Sequence, residues 1–316
     1  MKKIKTVIIG CGKIGFLNDF KKNLDGNFTH FKSIQNNNNF EIVGVVDKNP
    51  KTLKIISKLY GITTSKSYLK LLKNIKVDLI VVSTNDETHY NILNNITQFK
   101  PKFVFTEKPI TKRPDQTNKI VKKYQKEDIK LSVNYSRRFS KSYIKVRKYI
   151  KTKKIGKIHA VELNYSRGFY HNAVHLIDLS LWFFGSPKKI ITEKKKSSSS
   201  YKGDITAVIR LEYSYFDVRI KGLDINFLGN QEIDIIGDKG RIIINPDNQI
   251  RFFKINDHKH YDKIKFFSLK KVENIDEPNI LNNTYKTIQS EIYNQKKLVT
   301  SDALNSIEIS KILLSV

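Results

Sequence analysis

The feature that most constrains this chain is a glycine-rich turn at residues 10–15, Gly-Cys-Gly-Lys-Ile-Gly, directly after the apolar run Thr6 to Ile9. In a strand-turn-helix unit, the first glycine permits a tight turn, the second lets the backbone approach a pyrophosphate, and the third lets helix and strand pack closely. The helix N-terminus adds partial positive charge. We therefore expect a dinucleotide site that includes Gly10, Gly12, Lys13, Ile14 and Gly15.

Short apolar runs alternate with helix-like patterns through the first half of the chain. The runs predict buried strands at Thr6–Ile9, Glu41–Val46, Asp78–Val82, Lys102–Phe105 and Lys130–Val133. Helical spacing of apolar residues occurs at Pro50–Tyr60, Ser67–Lys73, Glu87–Gln98 and Pro114–Lys126. This βαβα order predicts a doubly wound parallel sheet, and we assign residues 1–125 to an NAD(P)-binding Rossmann domain.

The second half reads as strands separated by short turns, in a substrate-binding and oligomerisation domain at residues 126–316. Candidate strands are Lys157–Tyr165, Ile205–Tyr213, Phe216–Leu223, Glu232–Ile236, Arg241–Ile244 and Ile250–Ile255, which we expect to pair antiparallel with their neighbours. Residues 279–295 and 301–314 read as closing helices, and Lys194–Ser200 as a solvated loop. The domain should be α+β, with a large, mainly antiparallel sheet.

A carboxylate after the second strand bears on the choice of cofactor. Asp47 can accept hydrogen bonds from the adenosine ribose and repel a 2′-phosphate, which favours NAD, although Lys48 beside it keeps NADP possible. The usual spacing from the glycine turn is about 20 residues, and here it is longer because Leu17–Phe31, which contains His30, reads as an insertion. The alternative is an ordinary strand-end aspartate.

Small polar residues follow the fourth strand. Ligands bind at the carboxyl ends of strands in open α/β sheets, so Ser83, Thr84 and Asn85 are expected to form a cofactor wall. His89 lies in the next predicted helix. It is either a further cofactor contact or a helix histidine satisfied locally.

Five further segments carry a family resemblance. Glu107-Lys108-Pro109 follows the fifth strand, and together with the glycine turn it resembles the Gfo/Idh/MocA family of oxidoreductases. The similar segments continue through most of the chain, at Asn134–Phe139, Ile155–Ile158, His171–Leu179 with Trp182 and Gly185, and Glu232–Gly240.

The resemblance implies hydride transfer between the hydroxyl carbon of a sugar, nucleotide sugar or cyclitol and the nicotinamide, with the substrate held between the domains. Oxidising an alcohol requires a base within hydrogen-bond reach of its hydroxyl. The family pattern makes His175 the expected proton acceptor and Lys108 its partner, which also orients the substrate. Glu107 and Lys108 should lie near the cofactor, and Asn134, Asn172 and His175 near the substrate.

One position departs from the family pattern. The family often has an aspartate four residues before its histidine, where this chain has His171, so a carboxylate that would orient the base is missing. His171 and Asn172 then indicate a subgroup with a different hydroxyl-binding arrangement, and His171 remains a catalytic candidate. A spacing of four also raises a metal site, but no matching ligand set is evident, and we expect none. The remaining alternative is a helix whose histidines cap and pack.

Three arginines are candidate substrate ligands. Arg137, Arg138 and Arg167 follow strands that should point at the site, and planar guanidinium groups suit a carboxylate or diphosphate. A nucleotide sugar or sugar acid is therefore the preferred substrate. Each arginine could equally form a surface ion pair.

Composition narrows the function classes. The formal charge is +28, but the lysines are scattered rather than clustered, so we expect no nucleic-acid partner. One cysteine excludes an internal disulfide, and no run is apolar enough to cross a membrane, so we expect a cytoplasmic protein. The exposed face of a large sheet commonly packs against a partner, and the family resemblance implies a homodimer or homotetramer. Competing hypotheses are a methyltransferase, which Glu107-Lys108-Pro109 argues against, and a non-catalytic dinucleotide-sensing regulator of the same fold.

Overall fold

The computed structural model of the chain describes residues 2–22, 26–275, 280–293 and 300–316. Backbone contacts divide these residues into two compact units, the first from residues 1–139 and 278–310 and the second from residues 140–277 and 311–316. The first unit is discontinuous, because a helix near the C-terminus belongs to it. A domain boundary at residue 125 stays a prediction. Within these ranges, no helix is long and apolar enough to span a membrane.

The first unit contains a six-stranded parallel sheet. Its strands are β1 (Ile4–Ile9), β2 (Phe40–Val46), β3 (Thr64–Ser65), β4 (Leu79–Val82), β5 (Phe103–Thr106) and β6 (Lys130–Val133). They lie in the order β3-β2-β1-β4-β5-β6, which confirms the Rossmann fold and places the reversal of strand order between β1 and β4. The sequence did not reveal β3, because two polar residues form no apolar run.

The helices are α1 (Asn18–Lys22), α2 (His30–Gln35), α3 (Pro50–Tyr60), α4 (Tyr68–Asn74), α5 (Asp86–Ile96), α6 (Pro114–Lys126), α7 (Lys141–Lys151), α8 (Val174–Phe184), α9 (Ile280–Tyr293) and α10 (Leu304–Leu314). Local chemistry sets their ends. At α3, the Asn49 side chain accepts a hydrogen bond from the Lys51 N–H, and Gly61 ends the helix at φ 65°. Of the predicted helix at 279–295, residues 279, 294 and 295 lie outside the described residues.

One hydrophobic cluster of the first unit lies against one face of its sheet. Strand residues such as Ile8, Val81 and Phe105 are fully buried there, and helix α9 contributes Tyr285 and Ile288. Burial of side chains of this size stabilises the fold by roughly 1.5–3 kcal/mol each.

The second unit contains an eight-stranded sheet. Its strands are β7 (Ile158–Ser166), β8 (Lys189–Ser197), β9 (Ile205–Glu212), β10 (Asp217–Leu223), β11 (Gln231–Gly237), β12 (Gly240–Asn245), β13 (Gln249–Asp257) and β14 (Lys265–Asn274). The order is β14-β13-β12-β11-β7-β10-β9-β8, which confirms a large, mainly antiparallel sheet. Consecutive strands joined by short turns, such as β9 with β10 and β11 with β12, pair antiparallel, whereas β10 pairs parallel with β7, which is not its neighbour in the chain.

Two strands of this sheet were missed for one physical reason. Strands β8 and β14 occupy its two edges, and both are rich in lysine. Charged residues, lysine above all, protect an exposed sheet edge from pairing with another chain. Their lysines imitate a loop in the sequence, so the predicted loop at Lys194–Ser200 is wrong as far as Ser197, where β8 ends.

A buried tyrosine joins β7 to β9 across the intervening strand. The Tyr165 hydroxyl accepts a hydrogen bond from the Ala207 N–H at 2.8 Å and donates to the Ala207 carbonyl at 2.9 Å. The pairing of β10 with β9 ends at Lys221, the residue before Gly222. Gly222 leaves room for the ring, since a Cβ there would lie 2.7 Å from the hydroxyl oxygen.

We expect Tyr165→Phe to destabilise the second unit by about 1–3 kcal/mol, because two buried backbone groups of Ala207 lose their partner. Denaturant unfolding measures this loss. The control is Tyr215→Phe, whose residue is 79% exposed and which should unfold like the wild type. Equal stability of the two variants would contradict this account of the β7–β9 connection.

Candidate functional site

The glycine turn lies where the strand order reverses. The Gly10 N–H donates to the Val46 carbonyl on β2, and the Ser83 N–H donates to the Ile9 carbonyl, both at 2.8 Å. The Ser83 hydroxyl donates to the Gly10 carbonyl at 2.7 Å. Gly10 has φ +99°, and a Cβ there would lie 2.6 Å from the Ser83 backbone. The turn is therefore held by the last residue of β2 and by the residue that follows β4.

The other two glycines of the turn face different surroundings. A Cβ on Gly15 would lie 2.1 Å from the Gly10 carbonyl oxygen, whereas a Cβ on Gly12 would meet no atom of the described residues within 4 Å. Gly15 thus permits close packing, and Gly12 borders open space that a pyrophosphate can approach. The turn opens a π-helical segment, Lys13–Leu17, rather than a regular α-helix.

Cys11 is a structural residue. Burial, and then the negative charge of Asp47, raise the pKa of its thiol to about 12. The reactive form of cysteine is the thiolate, which is scarce at neutral pH under these conditions.

Asp47 is anchored by backbone groups. Its Oδ2 accepts a hydrogen bond from the Cys11 N–H at 2.6 Å, and its Oδ1 accepts one from the Asn49 N–H at 2.7 Å. A carboxylate oxygen has two acceptor sites, so each can still receive a ribose hydroxyl. The anchoring fixes the carboxylate beside the glycine turn.

A cavity of about 550 Å³ opens at this end of the sheet, within the range of roughly 300–1,000 Å³ that is typical of ligand pockets. Seven predicted cofactor residues line it: Gly10, Gly12, Asp47, Lys48, Ser83, Thr84 and Asn85. Lys13, Ile14, Gly15, His89, Glu107 and Lys108 are not among its lining residues. The residue types and the open approach at Gly12 fit a dinucleotide.

Sequence reasoning missed part of this lining. Lys66 and Ser67 come from the turn after β3, Tyr68 begins α4, and Thr88 and Asn91 come from α5. The short β3 carries no apolar run, so nothing in the sequence directed attention to the turn that follows it.

His89 is fully buried, and its ring nitrogens face two backbone carbonyls. Nδ1 lies 2.8 Å from the Pro109 oxygen, and Nε2 lies 3.1 Å from the Thr84 oxygen. The side chain therefore links the turn after β4 to the segment that follows Lys108. Its predicted cofactor contact stays a prediction, with the side chain committed to these backbone groups.

Glu107 lies in a hydrogen-bonded cluster beside Lys108. His30 Nε2 lies 3.0 Å from its Oε1, and the Asn134 amide donates to the same oxygen at 2.6 Å. Burial alone would raise the pKa of Glu107, but the His30 and Asn134 hydrogen bonds and the Lys108 charge hold it below its ordinary value. The carboxylate is therefore ionised. The Asn134 amide, a predicted substrate ligand, is engaged here.

The two arginines after β6 differ in exposure. They lie in a 3₁₀ turn, Ser136–Phe139, in which Arg138 is 3% exposed and Arg137 is half-buried. Arg137 is therefore the more accessible of the two to an anionic ligand.

In the second unit, an aromatic side chain from another loop joins His171 and Arg167. The Tyr201 ring stacks on the His171 ring at a centroid distance of 4.1 Å, and Arg167 donates to the Tyr201 hydroxyl at 3.1 Å. Arg167 is exposed and has φ +62°. The sequence did not single out Tyr201, which follows a run of serines.

A carboxylate from the residue before β9 approaches His171. Asp204 is 7% exposed, accepts hydrogen bonds from the backbone N–H groups of Tyr170 and His171 at 3.0 and 3.2 Å, and lies 4.0 Å from His171 Nδ1. Gly168 makes this approach possible, since a Cβ there would lie 2.2 Å from Asp204 Oδ2. Asp204 thus holds the turn that carries His171.

The predicted histidine helix begins with a π-helical turn, Phe169–Ala173, which leads into α8. The side-chain amide of Asn172 donates to the Ser166 carbonyl at 2.8 Å, and half-buried His175 lies in the first turn of α8. Turns of π-helix occur often at functional sites. Among the residues that the structure describes, no group of three or more His, Cys, Asp or Glu could hold a metal ion.

Proteins similar in sequence include oxidoreductases of Bacillus subtilis. The chain is 23% identical to the uncharacterized oxidoreductase YrbE over 261 residues, 76% of this chain and 73% of YrbE. It is 26% identical to the putative oxidoreductase YteT over 140 residues, 42% of this chain and 32% of YteT. Inositol 2-dehydrogenase of Rhizobium meliloti is 25% identical over 160 residues, 51% of this chain and 44% of that protein. The match thus spans about a third of YteT and less than half of the dehydrogenase.

Solved structures share the fold over nearly the whole chain. The putative oxidoreductase YvaA of Bacillus subtilis superposes with a TM-score of 0.81 at 16% identity, covering 99% of this chain and 95% of that one. The WlbA dehydrogenase of Chromobacterium violaceum, in complex with NADH and UDP-GlcNAcA, gives 0.77 at 17% identity over 99% and 92%. At these identities the likeness shows the fold.

Two glycine substitutions separate binding from folding. We expect Gly12→Ala to unfold like the wild type but to bind NAD at least about tenfold more weakly, because its methyl group fills space that the pyrophosphate needs. Gly15→Ala should lose thermal stability, because its methyl group meets a backbone oxygen. Calorimetric titration and thermal unfolding measure the two effects, with Gly229→Ala as the control. Unchanged NAD affinity in Gly12→Ala would refute the placement of the pyrophosphate.

Two family models cover most of the chain. Residues 4–135 match the oxidoreductase family with an NAD-binding Rossmann fold, and residues 168–312 match the C-terminal alpha/beta domain of the same oxidoreductase family. The matches coincide with the Rossmann sheet and with most of the second unit. The chain therefore belongs to the Gfo/Idh/MocA family of oxidoreductases, with an NAD-binding Rossmann domain.

Proposed function

We propose that this protein is an NAD-dependent dehydrogenase or reductase that acts on a hydroxyl carbon of a sugar, nucleotide sugar or cyclitol. The observation that carries the proposal is the arrangement of the carboxyl end of the Rossmann sheet. The cavity at Gly12 and Asp47 lies where β1, β2 and β4 end, and Lys108 follows β5, the neighbour of β4. The cofactor cavity and the candidate reactive residue Lys108 thus both lie at the carboxyl ends of the strands.

The balanced reaction is the oxidation of an alcohol to a carbonyl. When bound, NAD accepts the hydride that leaves the hydroxyl carbon. The hydroxyl proton goes to a base of the protein, for which we propose His175, while the positive charge of Lys108 polarises the oxygen. In the reverse direction the same groups return the proton.

The choice of substrate class draws on charge and on relatives. Arg167 and half-buried Arg137 are guanidinium groups that suit a carboxylate or diphosphate. Among the similar proteins, six are named as inositol dehydrogenases, and one solved structure is a dehydrogenase in complex with NADH and a nucleotide sugar acid. A nucleotide sugar or sugar acid is the first candidate, and a cyclitol is the second.

Turnover tests the assignment directly. Purified protein with NAD and a panel of nucleotide sugars, uronic acids and cyclitols should produce NADH with at least one substrate. Lys108→Ala and His175→Ala should each reduce turnover by at least about a hundredfold with little change in NAD affinity.

Matched controls are Lys112→Ala and His159→Ala, which alter exposed residues of the same types and should leave turnover unchanged. Wild-type rates in the Lys108 and His175 variants would overturn their roles. Measurable NAD binding without turnover on any substrate would favour a dinucleotide-sensing regulator.

Cofactor preference depends on the charge of Asp47. We expect the wild type to prefer NAD, because the carboxylate repels a 2′-phosphate. Asp47→Asn keeps an acceptor for the Cys11 N–H and removes the charge, so the affinity for NADP relative to NAD should rise at least about tenfold. Calorimetric titration of both cofactors measures the ratio. A wild type that prefers NADP would show that Asp47 does not select the cofactor.

A further inference from the structure

A buried histidine in the segment interpreted as an insertion is bonded to the acid beside Lys108. The His30 side chain is fully buried in the first unit, with Nδ1 2.8 Å from the Tyr285 hydroxyl and Nε2 3.0 Å from Glu107 Oε1. We name Tyr285, His30 and Glu107 the buried triad. Tyr285 lies on α9, His30 begins α2, and Glu107 follows β5. Polar groups are costly to bury unless they are paired, so the three side chains depend on one another.

The insertion delivers His30 to this position. Asp19 accepts hydrogen bonds from the Phe28 N–H, the Thr29 N–H and the Thr29 hydroxyl, the last at 2.7 Å. The Thr29 side chain also accepts from the Lys32 N–H and caps α2. His30 is the first residue of that helix, so these contacts fix where its ring enters the core.

The hydrogen bonds of the triad determine where its protons lie. Glu107 is ionised, so it accepts a hydrogen bond from the Nε2–H group of His30. Burial, and then the charge of Glu107, raise the pKa of the Tyr285 hydroxyl, which therefore stays neutral. The Tyr285 hydroxyl lies 2.8 Å from His30 Nδ1, so the His30 ring is held between Tyr285 and Glu107.

The triad is coupled to Lys108 by charge. The positive charge of Lys108 favours the ionised form of Glu107, and such coupling is reciprocal, so the carboxylate favours the ammonium form of Lys108. The titratable groups that face the His30 ring are Tyr285 and Glu107, and the Phe105 ring packs edge-on against it at 5.7 Å. No other charged group contacts the ring in the described part of the chain.

We propose that His30 and Tyr285 are positioning residues for the reaction, which hold the Glu107 carboxylate ionised and fixed in orientation so that it keeps Lys108 charged and in place. They act through Glu107 and contact neither substrate nor cofactor. The inference rests on the proposed role of Lys108.

The test measures how fast the Lys108 amine reacts with a labelling reagent, so it does not depend on turnover. The full chain, without added cofactor, is labelled with acetic anhydride at pH 7, and labelling of each lysine is followed by mass spectrometry, with exposed Lys112 as internal standard. Only the uncharged amine reacts. In the Glu107→Gln and His30→Leu variants, Lys108 should be labelled at least about threefold faster than in the wild type. The reason is that the negative charge of Glu107, which stabilises the ammonium form, is lost or weakened.

Conservative variants separate this role from simple packing. His30→Gln places an amide donor near the position of Nε2 and should restore slow labelling. Tyr285→Phe removes the hydroxyl that fixes the ring and should label Lys108 faster, which keeps the test valid if His30→Leu fails to fold. The matched control is Tyr124→Phe, which loses a buried hydroxyl bonded to the Leu93 carbonyl at 2.9 Å and should leave Lys108 labelling unchanged.

Kinetics give a second readout once a substrate is known. His30→Leu should lower kcat and shift its pH profile, with the KM for NAD unchanged. The proposal would be overturned if Lys108 is labelled at the wild-type rate in folded His30→Leu and Tyr285→Phe variants. It would also be overturned if Lys108 is labelled as fast in Tyr124→Phe as in Tyr285→Phe. Faster labelling in a protein with no turnover would support the triad and contradict the proposed dehydrogenase activity.

Discussion

The fold of the first unit depends on one close backbone contact in the glycine turn. Gly15 packs so near the Gly10 carbonyl that a Cβ would lie 2.1 Å from that oxygen, and the Ser83 hydroxyl binds the same carbonyl. This contact sets how closely the segment after the turn approaches β1 and β4. Asp47 adds a hydrogen bond to the turn from β2. Because the turn, β2 and β4 are joined here, these contacts shape the cavity at the strand ends.

In both units, buried acidic side chains hold the backbone segments that carry candidate reactive residues. A carboxylate in a low-dielectric core costs free energy unless donors surround it. Glu107 meets this condition through His30 and Asn134, and the charge of Lys108 adds to it. In the second unit, the buried Asp204 carboxylate accepts hydrogen bonds from backbone N–H groups of the turn that carries His171. In both units, a satisfied acid therefore holds a segment that carries a candidate reactive side chain.

The sequence predicted central strands better than edge strands. Buried strands such as β1 and β4 are continuous apolar runs, because both of their faces are covered. Strands β8 and β14 occupy the sheet edges, where lysine prevents pairing with other chains, so their composition resembles that of loops. The parallel pairing of β10 with β7 was also unexpected, because hairpin-like spacing does not reveal which distant strand becomes a neighbour.

The sequence by itself determined the Rossmann fold, the family and the residues of the glycine turn, because each depends on local spacing. The local features are the three glycines of the turn, the acidic residue after β2 and the regular spacing of apolar residues. Only the tertiary structure decided which side chains meet. His30, Glu107 and Tyr285 lie far apart in the chain, and so do His171 and Asp204. Their meeting depends on how helices and loops pack against the sheets, and no periodicity in a single sequence records that packing.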